Sequence, residues 1–193
     1  MNSHNSESSK FLLVGNGPYK NRGCEAIVRG TMNILRHHFG QNVHANVGIY
    51  SALSLLKEQI TSETDDGINT FLLNHTSQRW SRDWIEQKLN TSIGLNLPSL
   101  HRPITSYLQD AMAALEIGGD TYSLDYGTPM HYLNMDSFLL SRGIPLVLWG
   151  ASVGPFDREP EFAEKMFANL KRFSAIFVRE SISQAYLQKN GIE

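Results

Sequence analysis

The sequence predicts an α/β fold: a doubly wound, Rossmann-like parallel sheet with helices on both faces. Two observations carry this. Short, nearly continuous apolar runs alternate with stretches of helical spacing, the pattern of strands buried on both faces. Glycine-rich or charged corners follow four of those runs: "GNGPYKNRGCEA", "GGDTYSLDYG", "GASVGPF" and "RESIS". In open sheets of this class ligands bind beyond the C-terminal ends of the strands, so such corners belong to a binding edge.

The elements follow in order. Phe11 to Gly15 is a compact strand ending in glycine, and Gly23 to Phe39 a helix with Ile27, Gly30, Thr31, Ile34 and Leu35 at helical spacing. Val43 to Tyr50 reads as a partly polar second strand. In the less regular middle, Thr70 to Leu73 is a strand and Gln78 to Leu89 a helix. "TSIGLNLPSLHRP" has the punctuation of a loop. Met112 to Ile117 is a strand, Pro129 to Ser141 a helix, Pro145 to Trp149 a strand and Glu159 to Arg172 a helix. Ala175 to Val178 is the last strand, and Ser181 to Lys189 a helix closed by Asn190-Gly191.

The whole chain adds bounds. Its 193 residues suffice for one substantial core, and 41% hydrophobic with 19% charged residues is ordinary globular composition. A formal net charge of -2 gives no reason to expect nucleic acid as a partner. Cys24 is the sole cysteine, which excludes an intramolecular disulfide and argues against a cysteine-based zinc site. "MNSHNSESSK", residues 1–10, is polar and reads as a disordered leader before a domain over residues 11–193. "FLLVG" and "IPLVLWG" are far shorter than the about 20 apolar residues of a membrane span. A soluble, cytoplasmic protein is expected.

The corners hold the candidate site residues. Gly15, Asn16 and Gly17 open a nucleotide-like loop, yet the next glycine is Gly23, so the dinucleotide fingerprint is absent. The loop still delivers a helix N-terminus that favours an anion, with Asn21 a candidate N-cap. Glu25, in the first turn, is a site group or a carboxylate favoured by the helix dipole. Glu116 lies in an apolar run, where it ends the strand beside water, pairs with an arginine, or serves the site. Gly118-Gly119 lets the backbone approach a ligand closely, and Asp120 is a site carboxylate or a loop cap. Tyr122, Asp125 and Tyr126 line an acceptor pocket or pack the loop. Ser152 and Gly154 sit in a close-approach turn whose amides can bind an anion. Arg179 suits phosphate or carboxylate, or ion-pairs with Glu180 or Glu116. His37, His38, His75, His101 and His131 show no metal-ligand spacing, so no metal is expected. Cys24 reads as a packed small residue.

Taken together, "GNGPYKNRGCEAI", "LEIGGDTYSLDYG", "PLVLWGASVGPF" and "IFVRESISQAYLQKNG" resemble the polysaccharide pyruvyl transferase family in order and spacing. Ser51 to Pro103 matches weakly. The resemblance implies one half of a GT-B-like fold, two Rossmann-like domains facing a cleft. It implies transfer of the enolpyruvyl group of phosphoenolpyruvate to a sugar of a cell-surface polysaccharide or its lipid-linked precursor, as a pyruvate ketal. Phosphoenolpyruvate is then a donor substrate, no cofactor is expected, and association with a membrane surface belongs to the expected partners. Such chemistry needs an acid, a base and donors for the departing phosphate. Asp120 and Glu25 are the candidates for acid or base. The family's second domain is expected after Glu193, which makes this chain the acceptor side and inactive alone. A glycosyltransferase of similar architecture using a nucleotide sugar, and a non-catalytic domain binding glycan or another subunit, remain alternatives.

Overall fold

The computed structural model describes residues 8–73, 85 and 102–193. Six strands form one sheet: β1 (Ser9–Asn16), β2 (Val43–Ile49), β3 (Ile68–Leu72), β4 (Ala113–Ile117), β5 (Leu146–Ala151) and β6 (Ala175–Val178). Their order is β3-β2-β1-β4-β5-β6 and every pairing is parallel. The described helices are α1 (Arg22–Phe39), α2 (Leu53–Ser62), α3 (Arg102–Leu108), α4 (Met130–Ser141), α5 (Pro160–Leu170) and α6 (Ser181–Lys189). The doubly wound α/β fold expected from the sequence is the one found.

Alternation along β1 explains the two layers. Phe11 and Leu13 pack with Val28, Met32 and Leu35 of α1 and Leu56 of α2, whereas Leu12 and Val14 pack with Ile104 of α3 and Met135 and Leu139 of α4. A strand with both faces covered must be apolar throughout, and Phe11 to Val14 are all buried. Each such side chain contributes about 1.5–3 kcal/mol on burial. A third cluster joins Leu148 of β5 to Phe162, Met166 and Leu170 of α5 and Leu187 of α6.

Several boundaries differ from expectation. Ser9 and Lys10, assigned to the leader, are ladder residues of β1, paired with Val43 and His44. Helices α2 and α3 were not expected, and α3 begins within the last residues of the anticipated loop. On α1 the buried positions are Val28, Thr31, Met32 and Leu35, while Ile34 is exposed. The helix expected over Gln78–Leu89 lies, Ile85 aside, outside the described residues, as do the first part of that loop, His75 and His101.

The strand order reverses between β1 and β4, since β2 leaves one side of β1 and β4 the other. At such a switch point the flanking crossovers diverge and leave a crevice beyond the strand ends. The corners at Gly15 and Gly118 stand on its two sides.

Candidate functional site

The corner after β4 is built around two close approaches. A Cβ on Gly118 would lie 2.6 Å from Thr121 Oγ1, and one on Gly119 would lie 3.0 Å from Arg179 Nη1. The glycine pair therefore makes room for a neighbouring hydroxyl and an incoming guanidinium, where the sequence suggested room for a ligand. Asp120 follows, and its carboxylate faces that guanidinium rather than capping the loop.

Arg179 gathers three strand ends. Its Nη2 donates to Asp120 Oδ1 at 2.5 Å and to Ser152 Oγ at 2.8 Å, and its Nε donates to Glu180 Oε2 at 3.3 Å. Ser152 Oγ in turn donates to Glu180 Oε2 at 3.0 Å, and Ser183 Oγ donates to Glu180 Oε1. Those donors, Ser183 first and then Ser152 and Arg179, hold the Glu180 carboxyl below the usual carboxylate range. The Arg179 side chain is 52% exposed and that of Asp120 43%, so the pair meets solvent at the C-terminal edge. Among the described residues, Arg179 Nη1 and Asp120 Oδ2 have no hydrogen-bond partner, which leaves one donor edge and one acceptor atom for a ligand. Of the two ion-pair partners the sequence offered for Arg179, Glu180 is the one found, and Glu116 is not. Ser183 did not stand out in the sequence; its signal was only its position one turn along α6 from Glu180.

The turn after β5 does not serve as an anion nest. Ser152 N–H donates to Gly119 O at 2.8 Å, Gly154 N–H to Tyr122 O at 2.7 Å, and Val153 N–H to Ser183 Oγ at 2.8 Å. With all three amides engaged, Ser152 enters the cluster through its hydroxyl alone. Gly154 is required for a different reason: its φ is +73°, and a Cβ there would collide with the Tyr186 ring.

The β1 corner is likewise more structural than expected. Asn16 is buried, and its Nδ2 donates to Cys24 O at 3.0 Å, tying the loop to α1. Asn21 is the N-cap: its Oδ1 accepts from Gly23 N–H at 3.0 Å. Gly17 lies against Cys24 Sγ, 3.2 Å from where its Cβ would be. Glu25 does not join the Asp120 cluster. It pairs with Arg22 at 2.6 Å and Arg29 at 3.6 Å and lines a cavity of about 400 Å³ between α1 and α2. Arg22 first, with Arg29 adding to it, keeps its carboxyl below the usual range.

Tyr122 lines no pocket either. It is fully buried, and its hydroxyl meets Asp136 Oδ1 and Oδ2, each at 2.9 Å. Asp125 and Tyr126 are exposed, with Asp125 Oδ2 accepting from Ser123 Oγ at 3.1 Å. Glu116, at 1% exposure, neither ends beside water nor pairs with an arginine. Asp136 was missed, although "LNMDSFLL" places a carboxylate between Leu133 and Leu139 on the buried face of α4.

The structure thus brings Gly119, Asp120, Ser152 and Arg179 into one exposed polar cluster. Gly15, Asn16, Gly17 and Asn21 stand across the switch point from Gly118, and Glu25 stands apart. Side by side, the guanidinium can hold an anion while the carboxylate accepts hydrogen bonds from hydroxyls.

Comparison with known proteins adds the chemistry of relatives. A family model described as polysaccharide pyruvyl transferase matches residues 21–193. The amylovoran biosynthesis protein AmsJ of Erwinia amylovora is 28% identical over 196 residues, covering 95% of this chain and 45% of its own length. The chain therefore spans somewhat less than half of that relative. No solved structure matches. Among the described residues no helix is long and apolar enough to cross a membrane.

Proposed function

Because this chain belongs to the polysaccharide pyruvyl transferase family, we propose that it carries the acceptor side of a site that moves the enolpyruvyl group of phosphoenolpyruvate onto a sugar. The acceptor is a sugar of a polysaccharide or of its lipid-linked precursor. In this reading a sugar hydroxyl adds to C2 of phosphoenolpyruvate, C3 gains a proton, phosphate leaves, and a second hydroxyl closes the ketal. Asp120 takes the proton of an attacking hydroxyl, and Arg179 meets the phosphate or carboxylate of the donor through its open edge.

One observation supports this most: Arg179 Nη2 is bonded both to Asp120 at 2.5 Å and to Ser152 at 2.8 Å. A guanidinium held by two partners keeps its free edge fixed, so little ordering remains to be done when an anion arrives. In the GT-B-like arrangement that the sequence resemblance implies, this edge faces the second domain across the cleft.

The test is incubation of the full-length protein with phosphoenolpyruvate and candidate acceptor glycans. Inorganic phosphate and a ketal methyl resonance should appear together. Arg179→Lys should lower kcat/KM for phosphoenolpyruvate about 10–100-fold, the worth of a hydrogen bond to a charged group. Release of a nucleoside diphosphate from a sugar nucleotide, with phosphoenolpyruvate inert, would replace this reading with glycosyl transfer.

A further inference from the structure

Beneath the β1 and β4 corners lies a pair of carboxyl groups that the cleft chemistry leaves unused. Glu116 is 1% exposed, and neither of its oxygens meets a donor among the described residues. Its polar neighbour is the carboxyl of Asp136 on α4. Ionised carboxylates only accept hydrogen bonds, so two of them in contact need a proton between them. Which one holds it follows from their other partners. Asp136 receives the Tyr122 hydroxyl at 2.9 Å on both oxygens and the Asn169 amide at 3.4 Å, and donors of this kind favour the charged form. Glu116 has no such support.

We propose that Glu116 is a protonated carboxylic acid donating to an Asp136 carboxylate, and that this buried pair positions the Gly15 side of the switch-point crevice. Gly15 rests directly on it: a Cβ at that position would collide with Glu116 Oε2. The Gly15 carbonyl also accepts from Tyr132 Oη at 3.4 Å. With both oxygens shielded, Glu116 cannot reach a substrate in the crevice, so it acts as a positioning residue. The titratable groups around it are Asp136 and Tyr132 of α4, Tyr122 of the loop after β4, and Tyr50 after β2. None is cationic, so none of them favours an ionised Glu116. Burial first, then the Asp136 charge, pushes the Glu116 carboxyl well above its ordinary range. Burial also raises Asp136, to about 7, against the lowering effect of its hydrogen bonds. The pair is defined by burial and contact and stands independently of the group the enzyme transfers.

The sign follows from proton binding. A carboxyl whose folded value exceeds its unfolded one adds stability below the unfolded value, and that stability is lost as pH rises toward the folded value. Glu116→Gln mimics the neutral acid and still donates to Asp136. Relative to this variant, the wild-type chain should lose about 3–5 °C of Tm per pH unit between pH 5 and 8. Carbon-detected NMR should find the Glu116 carboxyl protonated at pH 7. The Gly15 and Gly17 amide resonances should move as it titrates, and that movement should vanish in Glu116→Gln. If that variant does not fold, Asp136→Asn carries the test: burial, the largest cause of the raised Glu116 carboxyl, remains, so Glu116 should still be protonated at pH 6. An ionised Glu116 at pH 6 in either protein overturns the proposal. A protonated Glu116 whose titration leaves Gly15 and Gly17 unmoved removes the positioning role.

Discussion

Arg179 Nη2 lies 2.5 Å from Asp120 Oδ1, joining the end of β6 to the corner after β4 across 59 residues of chain. The strand between them adds Ser152, so one guanidinium ties three successive strand ends together. An exposed ion pair of this kind contributes only about 0.2–1 kcal/mol to stability. Its value lies in placing a carboxylate and a donor edge side by side.

Asp120→Asn separates the roles of that carboxylate. The amide keeps the shape and one acceptor oxygen and loses charge and basicity. If Asp120 is the base, turnover should fall about 10²–10⁴-fold while Tm shifts by no more than a few degrees. A raised acceptor KM at constant kcat would instead show ground-state binding. Lowered stability with unchanged kinetics would end the functional assignment. Both kinetic constants and Tm are to be measured on one preparation.

Gly15→Ala tests the floor of the crevice. The backbone there has φ +84°, and the new Cβ would strike Glu116 Oε2 and lie 3.0 Å from Ile117 O. Left-handed backbone costs an alanine about 1–2 kcal/mol, and overpacking a core adds about 1–3 kcal/mol. Denaturant titration should therefore show a loss of about 2–5 kcal/mol; a loss below the cost of the backbone alone would mean that the corner readjusts freely.

Asp65→Asn is the control at the other end of the sheet. Asp65 accepts from Arg36 Nη1 at 2.7 Å and Nη2 at 2.6 Å, a two-pronged pair with both side chains largely covered. Arg36 holds the Asp65 carboxyl below its ordinary value. That stabilisation is present above the unfolded value near 4 and is lost as pH falls through the folded one. The variant should lose about 1–3 kcal/mol at pH 7 and progressively less below pH 4; on the proposed reading of the site, calorimetry with phosphoenolpyruvate should not distinguish it from wild type.

All six strands could be read from the sequence because each is a short run bounded by turn residues, apolar from Phe11 to Val14 in β1 and mixed with polar residues in β2 and β3. Helix α2 could not. Of its residues only Leu56 and Gln59 are buried, while Leu53 and Ile60 face solvent, so its apolar positions do not mark its buried face. At the candidate site, the strand-end rule anticipated that Asp120, Ser152 and Arg179 meet, since parallel topology alone puts those positions on one edge. It failed for Asn16, Tyr122 and the amides of the β5 turn. Each has the right residue type at the right edge, but Cys24, Asp136, Gly119 and Ser183 occupy its hydrogen bonds. Those partners come from other elements, and spacing along the chain does not reveal them.

The strand order has a consequence for assembly. The crevice exists only where β1 meets β4, and Lys10 and Asp110, 100 residues apart in sequence, pair at 3.1 Å beside that ladder. Every other neighbouring pair of strands is also consecutive along the chain. Closing so long a loop is the costliest entropic step of the topology, so the β1–β4 ladder should form late. Until it does, β1 offers a bare hydrogen-bonding edge, the kind of surface through which chains aggregate. A ligand that spans the crevice would fasten the contact that closes last, and a substrate or its analogue should therefore slow unfolding as well as occupy the site.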